Sequence, residues 1–367
     1  MAQLPSQNKG LILSKGTSVV EDGIAIPPLA ANEILIKTKA VAINPTDWKH
    51  IDNEGGIDGS VVGCDGAGIV VAVGEDIKET KVGDERFYFV SGSSRYHPLV
   101  GAFSKYVIVK EWSAFKTGAK LTVGHEKIVK YGPVTTFEGA ASLGLALVTL
   151  GFAFKFYGQM SIQPKEYKDK LFLVWGGSSS LGQAVVQIAK YMGFKVIATC
   201  SPSRFEWVKS IGADDVYDYK GKDVGERIRE KYGDDIQYSY DAVCSNGSQE
   251  IVHTAMSSTK PAKMFVSLMT QAQTPKSNVE IIFSMAYSAI DKKKYYPATK
   301  SDLISPPGAF EATQEAIEEI NQIFEKDPEL IKHMPLQVYD GIDSLNEAID
   351  LVRKNKHSGS KVVVRFD

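Results

Sequence analysis

The segment that most constrains the fold of this chain spans residues 171–182 and has the sequence LFLVWGGSSSLG. A short apolar run, typical of a buried strand, stops at Gly176 and Gly177, and a helical pattern opens at Leu181. The apolar positions of that pattern are Val185, Ile188, Ala189 and Met192. A strand, a glycine turn and a helix in this order are typical of a dinucleotide pyrophosphate site at a helix N-terminus. Alone, the segment fits that interpretation and an ordinary strand–helix turn equally well.

The glycines of this turn have separate predicted roles. Gly176 permits the tight turn, Gly177 lets the backbone approach phosphates without a Cβ, and Gly182 lets the helix pack closely on the strand. In a G-x-x-G-x-x-G pattern the middle position is Ser179 rather than glycine. The candidate cofactor-binding residues of the turn are Gly176, Gly177, Ser178, Ser179, Ser180, Leu181 and Gly182.

Alternating strand and helix patterns follow the turn. The predicted strands are 195–200, 215–217, 239–243 and 264–268, and the predicted helices are 203–211 and 224–232. Such alternation predicts an α/β fold, a Rossmann-type doubly wound parallel sheet with helices on both faces. It favours the dinucleotide interpretation of the glycine turn.

The end of the second strand of this series predicts which cofactor binds. NAD sites usually carry an acidic residue there, which binds the ribose 2′-hydroxyl. Here the first carboxylate is Glu206, whereas Ser201 and Arg204 offer a hydroxyl and a guanidinium to a 2′-phosphate. Tyr219, after the third strand, offers a further hydroxyl. The pattern predicts NADPH; the alternative is that Ser201 caps the next helix and Arg204 is a solvated charge.

Length and composition predict a soluble enzyme. The chain has 367 residues, enough for about two domains, and a net charge of −2, which attracts neither nucleic acid nor an anionic membrane. Three widely spaced cysteines fit reduced thiols of a cytoplasmic protein. The N-terminus lacks the basic and apolar regions of a secretory signal. The apolar stretch 140–154 is too short for a membrane span and predicts a buried helix.

The first 135 residues have a different pattern from the rest. Strand-like segments at 33–43, 61–74, 82–86 and 101–109 are separated or interrupted by glycines. Many short strands with glycine turns predict a compact, mainly antiparallel β domain.

The motifs of both halves together carry a family resemblance. They are NPTD at 44–47, GCDGAG at 63–68, VGD at 82–84, GAFSKY at 101–106, the glycine turn at 176–182, and the closing segments 341–343 and 358–364. Over nearly its whole length the chain resembles the zinc-free medium-chain dehydrogenase/reductases of the quinone-oxidoreductase-like branch. Within this branch it is most similar to fungal reductases, which include trans-acting enoyl reductases of polyketide pathways.

The resemblance implies a domain organisation. It assigns residues 1–135 and 305–367 to a discontinuous, GroES-like catalytic domain and residues 136–304 to the Rossmann domain. It also implies that a strand near 279–283 pairs across a homodimer, although some relatives are monomers.

The resemblance further implies that no metal is bound. Related zinc enzymes carry Cys where Asn44-Pro45-Thr46 lies and His-Glu where Cys64-Asp65 lies, together with four clustered cysteines. A catalytic zinc ion needs about three His, Cys or carboxylate ligands. Gly124-His125-Glu126 lies far from those positions and is interpreted as a surface coincidence.

Without a metal, hydrogen-bond donors must stabilise the charge that develops on the substrate. Lys49 is the predicted donor to the oxyanion or cofactor ribose; the alternative is a solvated helix charge. Asn44 is predicted to hold the nicotinamide or a substrate carbonyl, or else to be a helix N-cap before Pro45. Asp47 is predicted to orient Lys49 or to favour the helix N-terminus. The proton donor stays open, because some relatives carry Tyr where Lys49 lies.

Four further residues are candidate cofactor contacts. Thr149 lies where relatives often have Thr near the nicotinamide, and Asn246 and Leu268 follow the fourth and fifth strands. Lys361, in the C-terminal tail, is predicted to contact the cofactor; the alternative is a charged residue at a strand edge.

The predicted function is an NADPH-dependent, zinc-independent oxidoreductase that reduces a small activated alkene, aldehyde or quinone. One alternative is trans-acting enoyl reduction for a polyketide synthase, which predicts a basic entry patch. The compact basic run, Lys292–Lys294, is interpreted as a solvated loop, which favours small free substrates. Another alternative is a non-catalytic NADPH-binding regulatory protein.

Overall fold

The computed structural model describes residues 5–245, 247–267, 276–296, 300–357 and 359–367, without the side chains of residues 53, 54 and 296. The chain forms two units. The first contains Met1–Leu145, Tyr287–Phe310 and Asn321–Asp367, and the second contains Ala146–Ala286 and Glu311–Ile320. Residues 287–304, which the family resemblance assigns to the Rossmann domain, lie in the first unit, where Lys294 donates a hydrogen bond to Ser91.

The N-terminal part of the first unit is mainly antiparallel β structure. Its strands are β1 (Gln7–Ser14), β2 (Thr17–Ala25), β3 (Glu33–Ala42), β4 (Asp65–Val73), β5 (Glu85–Phe89), β6 (Tyr106–Lys110), β7 (Ala114–Lys116), β8 (Ile128–Val129) and β9 (Gly132–Pro133). Its helices are α1 (Pro45–Lys49), which continues into a π-helical turn at His50–Glu54, and α2 (Phe137–Ala141). Pro45 at the first position of α1 fits a helix start, because its missing N–H has no intrahelical partner there.

The second unit is built on a six-stranded parallel sheet. Its helices and strands are α3 (Gly144–Phe152, which begins in the first unit), β10 (Leu171–Trp175), α4 (Ser180–Tyr191), β11 (Lys195–Cys200), α5 (Phe205–Ser210), β12 (Asp215–Asp218), α6 (Val224–Tyr232), β13 (Ile236–Asp241), α7 (Ser248–Ala255), β14 (Ala262–Val266) and β15 (Val279–Phe283). The strand order is β12-β11-β10-β13-β14-β15, with every neighbouring pair parallel. This is the predicted Rossmann sheet, and the predicted fold class is confirmed.

The C-terminal part of the chain returns to the first unit, except for residues 311–320 of its longest helix, which belong to the second. Its helices and strands are α8 (Ala286–Ile290), β16 (Lys293–Tyr296), β17 (Ser301–Ile304), α9 (Ala309–Lys326), β18 (Lys332–His333), β19 (Leu336–Asp340), α10 (Leu345–Arg353) and β20 (Lys361–Arg365). Strand β20 pairs antiparallel with β3 and parallel with β19. The large sheet of this unit has the order β7-β5-β4-β3-β20-β19-β8, and β6 also pairs with β3. Strand β20 therefore brings the last residues of the chain beside β3 and α1.

One apolar helical stretch, Phe137–Tyr157, has the length and composition of a membrane span. Its most apolar window is 94% buried inside the protein, which is typical of a core helix. The predicted buried helix at 140–154 lies within it.

Candidate functional site: the glycine turn and two buried clusters

The glycine turn after β10 has two positions, Gly176 and Gly182, that only glycine fits. Gly176 has φ +80°, and a Cβ there would lie 2.3 Å from Val243 Cγ2. At Gly182 a Cβ would lie 2.1 Å from the Gly176 carbonyl oxygen, so the helix could not approach the turn as closely. At Gly177 the nearest atom, the Ala198 Cβ, would be 3.0 Å away. The turn is a tight backbone cradle, as its glycine pattern predicts.

Helix α4 presents its N-terminus at this turn. Ser179 is the N-cap, and its Oγ accepts a hydrogen bond from the Gly182 N–H over 3.0 Å. Ser180 and Leu181 begin the helix, where helical geometry supplies no acceptor for their N–H groups. Ser178 lies between the glycines and the cap and is half-buried. Free amides at a helix N-terminus beside a glycine turn fit a pyrophosphate.

Strand β11 ends beside the turn without a carboxylate. Thr199 Oγ1 accepts a hydrogen bond from the Gly176 N–H over 3.1 Å, which ties the two strand ends together. Ser201 precedes a 3₁₀ turn at Pro202–Arg204, but its side chain makes no capping hydrogen bond. The Arg204 guanidinium lies 5.8 Å from the centre of the Trp207 ring. Tyr219, after β12, is 41% exposed.

The Asn44 cluster joins four buried side chains of the first unit: Asn44, Asp47, Asp65 and Lys361. Asn44 is the N-cap of α1, and its backbone N–H donates to Asp47 Oδ2 over 2.7 Å. The Asn44 side chain donates from Nδ2 to Asp65 Oδ2 over 2.8 Å and accepts at Oδ1 from the Lys361 ammonium. Lys361 Nζ lies 3.9 Å from Asp65 Oδ2. Both polar atoms of the Asn44 amide therefore have protein partners.

Burial dominates the protonation equilibria of the Asn44 cluster. It raises the pKa of Asp47 to about 7, against the hydrogen bond from Asn44 and with a further rise from the charge of Asp65. It raises the pKa of Asp65 to about 6, although Lys361 and Asn44 favour its ionised form. It lowers the pKa of Lys361 against the attraction of Asp65. Among the described residues Asp47 Oδ1 is buried without a hydrogen-bond partner.

The Tyr287 cluster surrounds the same helix and contains Thr46, His50, Cys64, Tyr287 and Lys294. Tyr287 Oη lies 2.6 Å from Thr46 Oγ1 and 3.4 Å from Cys64 Sγ. His50 Nε2 lies 3.4 Å from the same Thr46 oxygen. The Lys294 ammonium lies 3.7 Å from the centre of the Tyr287 ring. Burial lowers the pKa of His50 well below its usual value and raises that of Cys64 well above, so both are neutral near pH 7.

The interpretation of Lys292–Lys294 as a solvated run is wrong for Lys294. Lys292 and Lys293 are exposed, whereas Lys294 is 2% exposed. Successive side chains of a strand point to opposite faces, and this alternation along β16 turns Lys294 inward. Tyr287 and Lys294 were not predicted as site residues, because no local pattern distinguishes them.

The remaining predicted residues lie at separate places. Lys49 is half-buried at the end of α1, with Nζ 5.7 Å from the centre of the Trp48 ring. In the part of the chain that the structure describes, no ion pair joins it to Asp47, whose carboxylate instead serves the start of the helix. Thr149 is buried in α3. Asn246 and Leu268 lie outside the described residues.

No metal-binding group of three or more His, Cys, Asp or Glu residues occurs within the described ranges. His125 and Glu126 are exposed on the segment before β8. Cys64 and Asp65 instead belong to the two hydrogen-bonded clusters around α1.

Comparison with known proteins assigns the chain to a family. The family described as "Alcohol dehydrogenase GroES-like domain" matches residues 30–119, and "Zinc-binding dehydrogenase" matches residues 180–296. The uncharacterized protein YNL134C of Saccharomyces cerevisiae is 32% identical over 99% of this chain and 98% of its own length. The chain belongs to the medium-chain dehydrogenase/reductase family. The resemblance seen in the sequence is confirmed.

Within the medium-chain dehydrogenase/reductases, the similar proteins include reductases of two kinds. The trans-enoyl reductase ACTTS2 of Alternaria alternata is 30% identical over 97% of this chain and 98% of its own length. A solved quinone oxidoreductase of Pseudomonas syringae pv. tomato DC3000 has the same fold, with a TM-score of 0.66 at 20% identity. The structural match covers 98% of this chain and 99% of the quinone oxidoreductase chain. Medium-chain dehydrogenase/reductases are oxidoreductases that bind nicotinamide cofactors, and this chain is an oxidoreductase of that family.

Proposed function

We propose that this protein is an NADPH-dependent, zinc-independent reductase that transfers hydride to a small activated alkene, aldehyde or quinone. The end of β11 is the observation that supports NADPH as the cofactor. Ser201 and Arg204 follow this strand, and the first carboxylate after it belongs to Glu206. A carboxylate would repel a 2′-phosphate, whereas a guanidinium attracts it and can bond it through two N–H groups.

The glycine turn supports nicotinamide dinucleotide binding in general. In this proposal the N–H groups of Ser180 and Leu181 bind the pyrophosphate, and Gly177 leaves room for it because it has no Cβ. The cofactor supplies the hydride. The protein's own residues must then stabilise the negative charge that the hydride leaves on the substrate and provide a proton.

Lys49 is the proposed donor to that charge. Its side chain is half-buried and, within the described chain, makes no hydrogen bond or ion pair that would occupy its ammonium. Asn44 and Asp47 are proposed to hold the turn that carries Lys49, since the Asn44 N–H donates to Asp47 and the Asn44 amide is held by Asp65 and Lys361.

Enoyl reduction in trans for a polyketide synthase is the second candidate. Relatives such as ACTTS2 are named trans-enoyl reductases and match nearly the whole chain, which favours it. A carrier protein is acidic and would need a basic docking surface. Burial of Lys294 leaves only Lys292 and Lys293 exposed in the run that would supply one, which favours small free substrates.

We also propose that the protein is cytoplasmic and is a monomer or a homodimer. Strand β15 is at the edge of the parallel sheet, and its outer edge has no strand partner among the described residues. An unpaired edge can pair with another chain. Light scattering on the purified protein distinguishes one copy from two.

A matched substrate panel tests the proposed reaction. NADPH oxidation, with NADH in parallel, is followed with a small enone, an unsaturated aldehyde, a saturated aldehyde, a quinone and an enoyl thioester. Turnover with NADPH and a small electrophile is the expected result. Turnover of the thioester alone would favour the second candidate, and NADPH binding without any turnover would favour a regulatory protein.

A further inference from the structure

The hydroxyl of Tyr287 is held against the turn that carries Lys49. Its oxygen lies 2.6 Å from Thr46 Oγ1 and 3.4 Å from Cys64 Sγ, and its ring packs 5.5 Å from the His50 ring. The phenol is 7% exposed, so these contacts rather than water fix its orientation. A hydroxyl held in one orientation is prepared for directed proton transfer.

Lys294 adds a buried positive charge on the face of this phenol. Its Nζ lies 3.7 Å from the Tyr287 ring centre and donates to Ser91 Oγ and to the Gly92 carbonyl, each over 3.1 Å. Within the described ranges no carboxylate forms a direct ion pair with it, although the charges of Asp291 and Asp47 favour its protonated form. Burying an ammonium without a paired carboxylate is costly, and burial lowers the pKa of Lys294 to about 8. Near pH 7 the site therefore contains a cation whose main aromatic contact is Tyr287.

We propose that Tyr287 is the proton donor of the reduction and that Lys294 is a positioning residue that stabilises the resulting phenolate. This inference rests on the proposed reductase function. It gives Tyr287 a role separate from that of Lys49, which stabilises the developing negative charge on the substrate.

The proposed step balances. Reduction adds a hydride from the nicotinamide cofactor to one substrate atom and a proton to another. The Tyr287 O–H bond breaks as a C–H or O–H bond forms on the substrate, which leaves a phenolate. The Thr46 hydroxyl can donate to that oxygen, and the Lys294 ammonium balances its charge. Water must then return one proton per turnover.

A small cavity offers a route for that proton. It has a volume of about 50 Å³, enough for a few waters, and is lined by residues that include Ser91, His97 and Asp291. Ser91 Oγ accepts from Lys294, so the cavity adjoins the cation. Asp291 Oδ2 is buried and, among the described residues, has no hydrogen-bond partner. Water in this cavity would connect Asp291 to Ser91 and Lys294.

The charged and titratable groups around the pair come from three segments. Helix α1 and its continuation contribute Asp47 and His50, the segment before β4 contributes Cys64, and the chain after α8 contributes Asp291. His50 and Cys64 are neutral near pH 7 because burial disfavours their charged forms. Asp47, with a pKa of about 7, titrates at lower pH than Lys294, so a decline of proton delivery above about pH 8 is assigned to Lys294.

The test compares Tyr287→Phe, Lys294→Met and Lys49→Met on the full chain. Tyr106→Phe is the matched control, since Tyr106 is half-buried in β6 and its hydroxyl makes no hydrogen bond in the described part of the chain. Each variant is measured for NADPH affinity by cofactor fluorescence, for melting temperature, and for kcat and kcat/KM between pH 6 and 10 on the best electrophile of the panel.

We expect Tyr287→Phe to lower kcat by at least about 100-fold, the usual contribution of a general acid, with unchanged NADPH affinity. The wild-type rate should decline above about pH 8, where Lys294 loses its proton, and this alkaline decline should disappear in Lys294→Met. Lys49→Met should lower the rate but keep the alkaline decline. Tyr106→Phe should match the wild type.

A folded Tyr287→Phe variant with the wild-type rate and pH profile overturns the inference while the reductase function stands. A wild type that oxidises no NADPH with any electrophile overturns the proposed function and the inference together. If Tyr287→Phe does not fold, the pH profile of the rate of Lys294→Met is the deciding measurement. An alkaline decline in that variant equal to that of the wild type overturns the inference.

Discussion

Asn44 Nδ2 donates a hydrogen bond to Asp65 Oδ2 over 2.8 Å, and this bond ties the start of α1 to the first residue of β4. Lys361, the first residue of β20, completes the contact by donating to Asn44 Oδ1. Three segments far apart in the chain thus meet at one buried amide. The position of the helical turn that carries Lys49 depends on buried charges as well as on apolar packing.

Lys361→Met should destabilise the protein strongly. It leaves the Asp65 carboxylate and the Asn44 Oδ1 atom buried without their cation, and breaking a buried ion pair typically costs about 3–5 kcal/mol. Urea unfolding of both proteins measures the difference. Lys356→Met, at an exposed lysine, is the control and should change little. Equal midpoints for Lys361→Met and the wild type would contradict the buried contact.

Asp47→Asn should stabilise the protein at neutral pH more than at pH 5. The folded-state pKa of Asp47 is about 7, above its unfolded value, so the folded state holds a proton that the unfolded state releases between about pH 4 and 7. The free energy of unfolding of the wild type therefore falls by about 2–4 kcal/mol as pH rises through that window. Asparagine does not titrate, so the variant does not lose this stability. Melting curves at pH 5, 6, 7 and 8 test it. A stability difference that does not grow with pH would contradict the raised pKa of Asp47.

Lys294→Met should change the pH dependence of stability on the alkaline side. Lys294 has a folded-state pKa of about 8, below its unfolded value, so between about pH 8 and 10 the unfolded state binds more protons. Wild-type stability should rise with pH in that window relative to Lys294→Met. Lys293→Met, at the exposed neighbour, should follow the wild type. If the curves of stability against pH run parallel for the wild type and Lys294→Met, a group other than Lys294 titrates in this window.

Arg204→Gln should weaken NADPH binding by about 10- to 100-fold and leave NADH binding unchanged, because hydrogen bonds to charged groups contribute about 1.5–3 kcal/mol. The measurement is a fluorescence titration with each cofactor. Arg227→Gln, at an exposed arginine on α6, is the matched control. An equal loss for both cofactors would mean that Arg204 does not bind the 2′-phosphate.

Gly182→Ala should abolish dinucleotide binding and lower the melting temperature. The added Cβ would lie 2.1 Å from the Gly176 carbonyl oxygen, and because that atom is backbone, the turn or the helix must move. Gly132→Ala is the control, since a Cβ there meets no atom within 4 Å. Nucleotide binding by Gly182→Ala with wild-type affinity would show that the close packing of α4 on the turn is not required.

Local patterns predicted much of the second unit. Helix α6 and strand β11 have the predicted bounds, because helical and strand periodicity and the glycine stops are properties of adjacent residues. The predicted strand at 239–243 instead begins at Ile236. Its first residues include Gln237 and Tyr238, which interrupt the apolar run that marked the strand.

The buried clusters depend on contacts that no window of sequence contains. Asn44 and Lys361 are separated by 317 residues, and Thr46 and Tyr287 by 241. Asn44, Asp47 and Lys361 were identified as candidates, but their contacts with one another and with Asp65 were not. Lys294 resembles its exposed neighbours in sequence, and only the contact with Ser91, 203 residues away, distinguishes it. These side chains come into contact only in the folded chain, so a local sequence pattern does not reveal them.

Following the hydride itself tests directly whether the protein is an NADPH-dependent reductase. The wild-type protein is incubated with NADPH deuterated at the transferable position of the nicotinamide and with a small enone, and the product is analysed by mass spectrometry and NMR. We expect one deuterium in the product, on the carbon that accepts the hydride, and a much slower reaction with equally deuterated NADH. A product without deuterium, or no product despite NADPH binding, would contradict the assignment as an NADPH-dependent reductase.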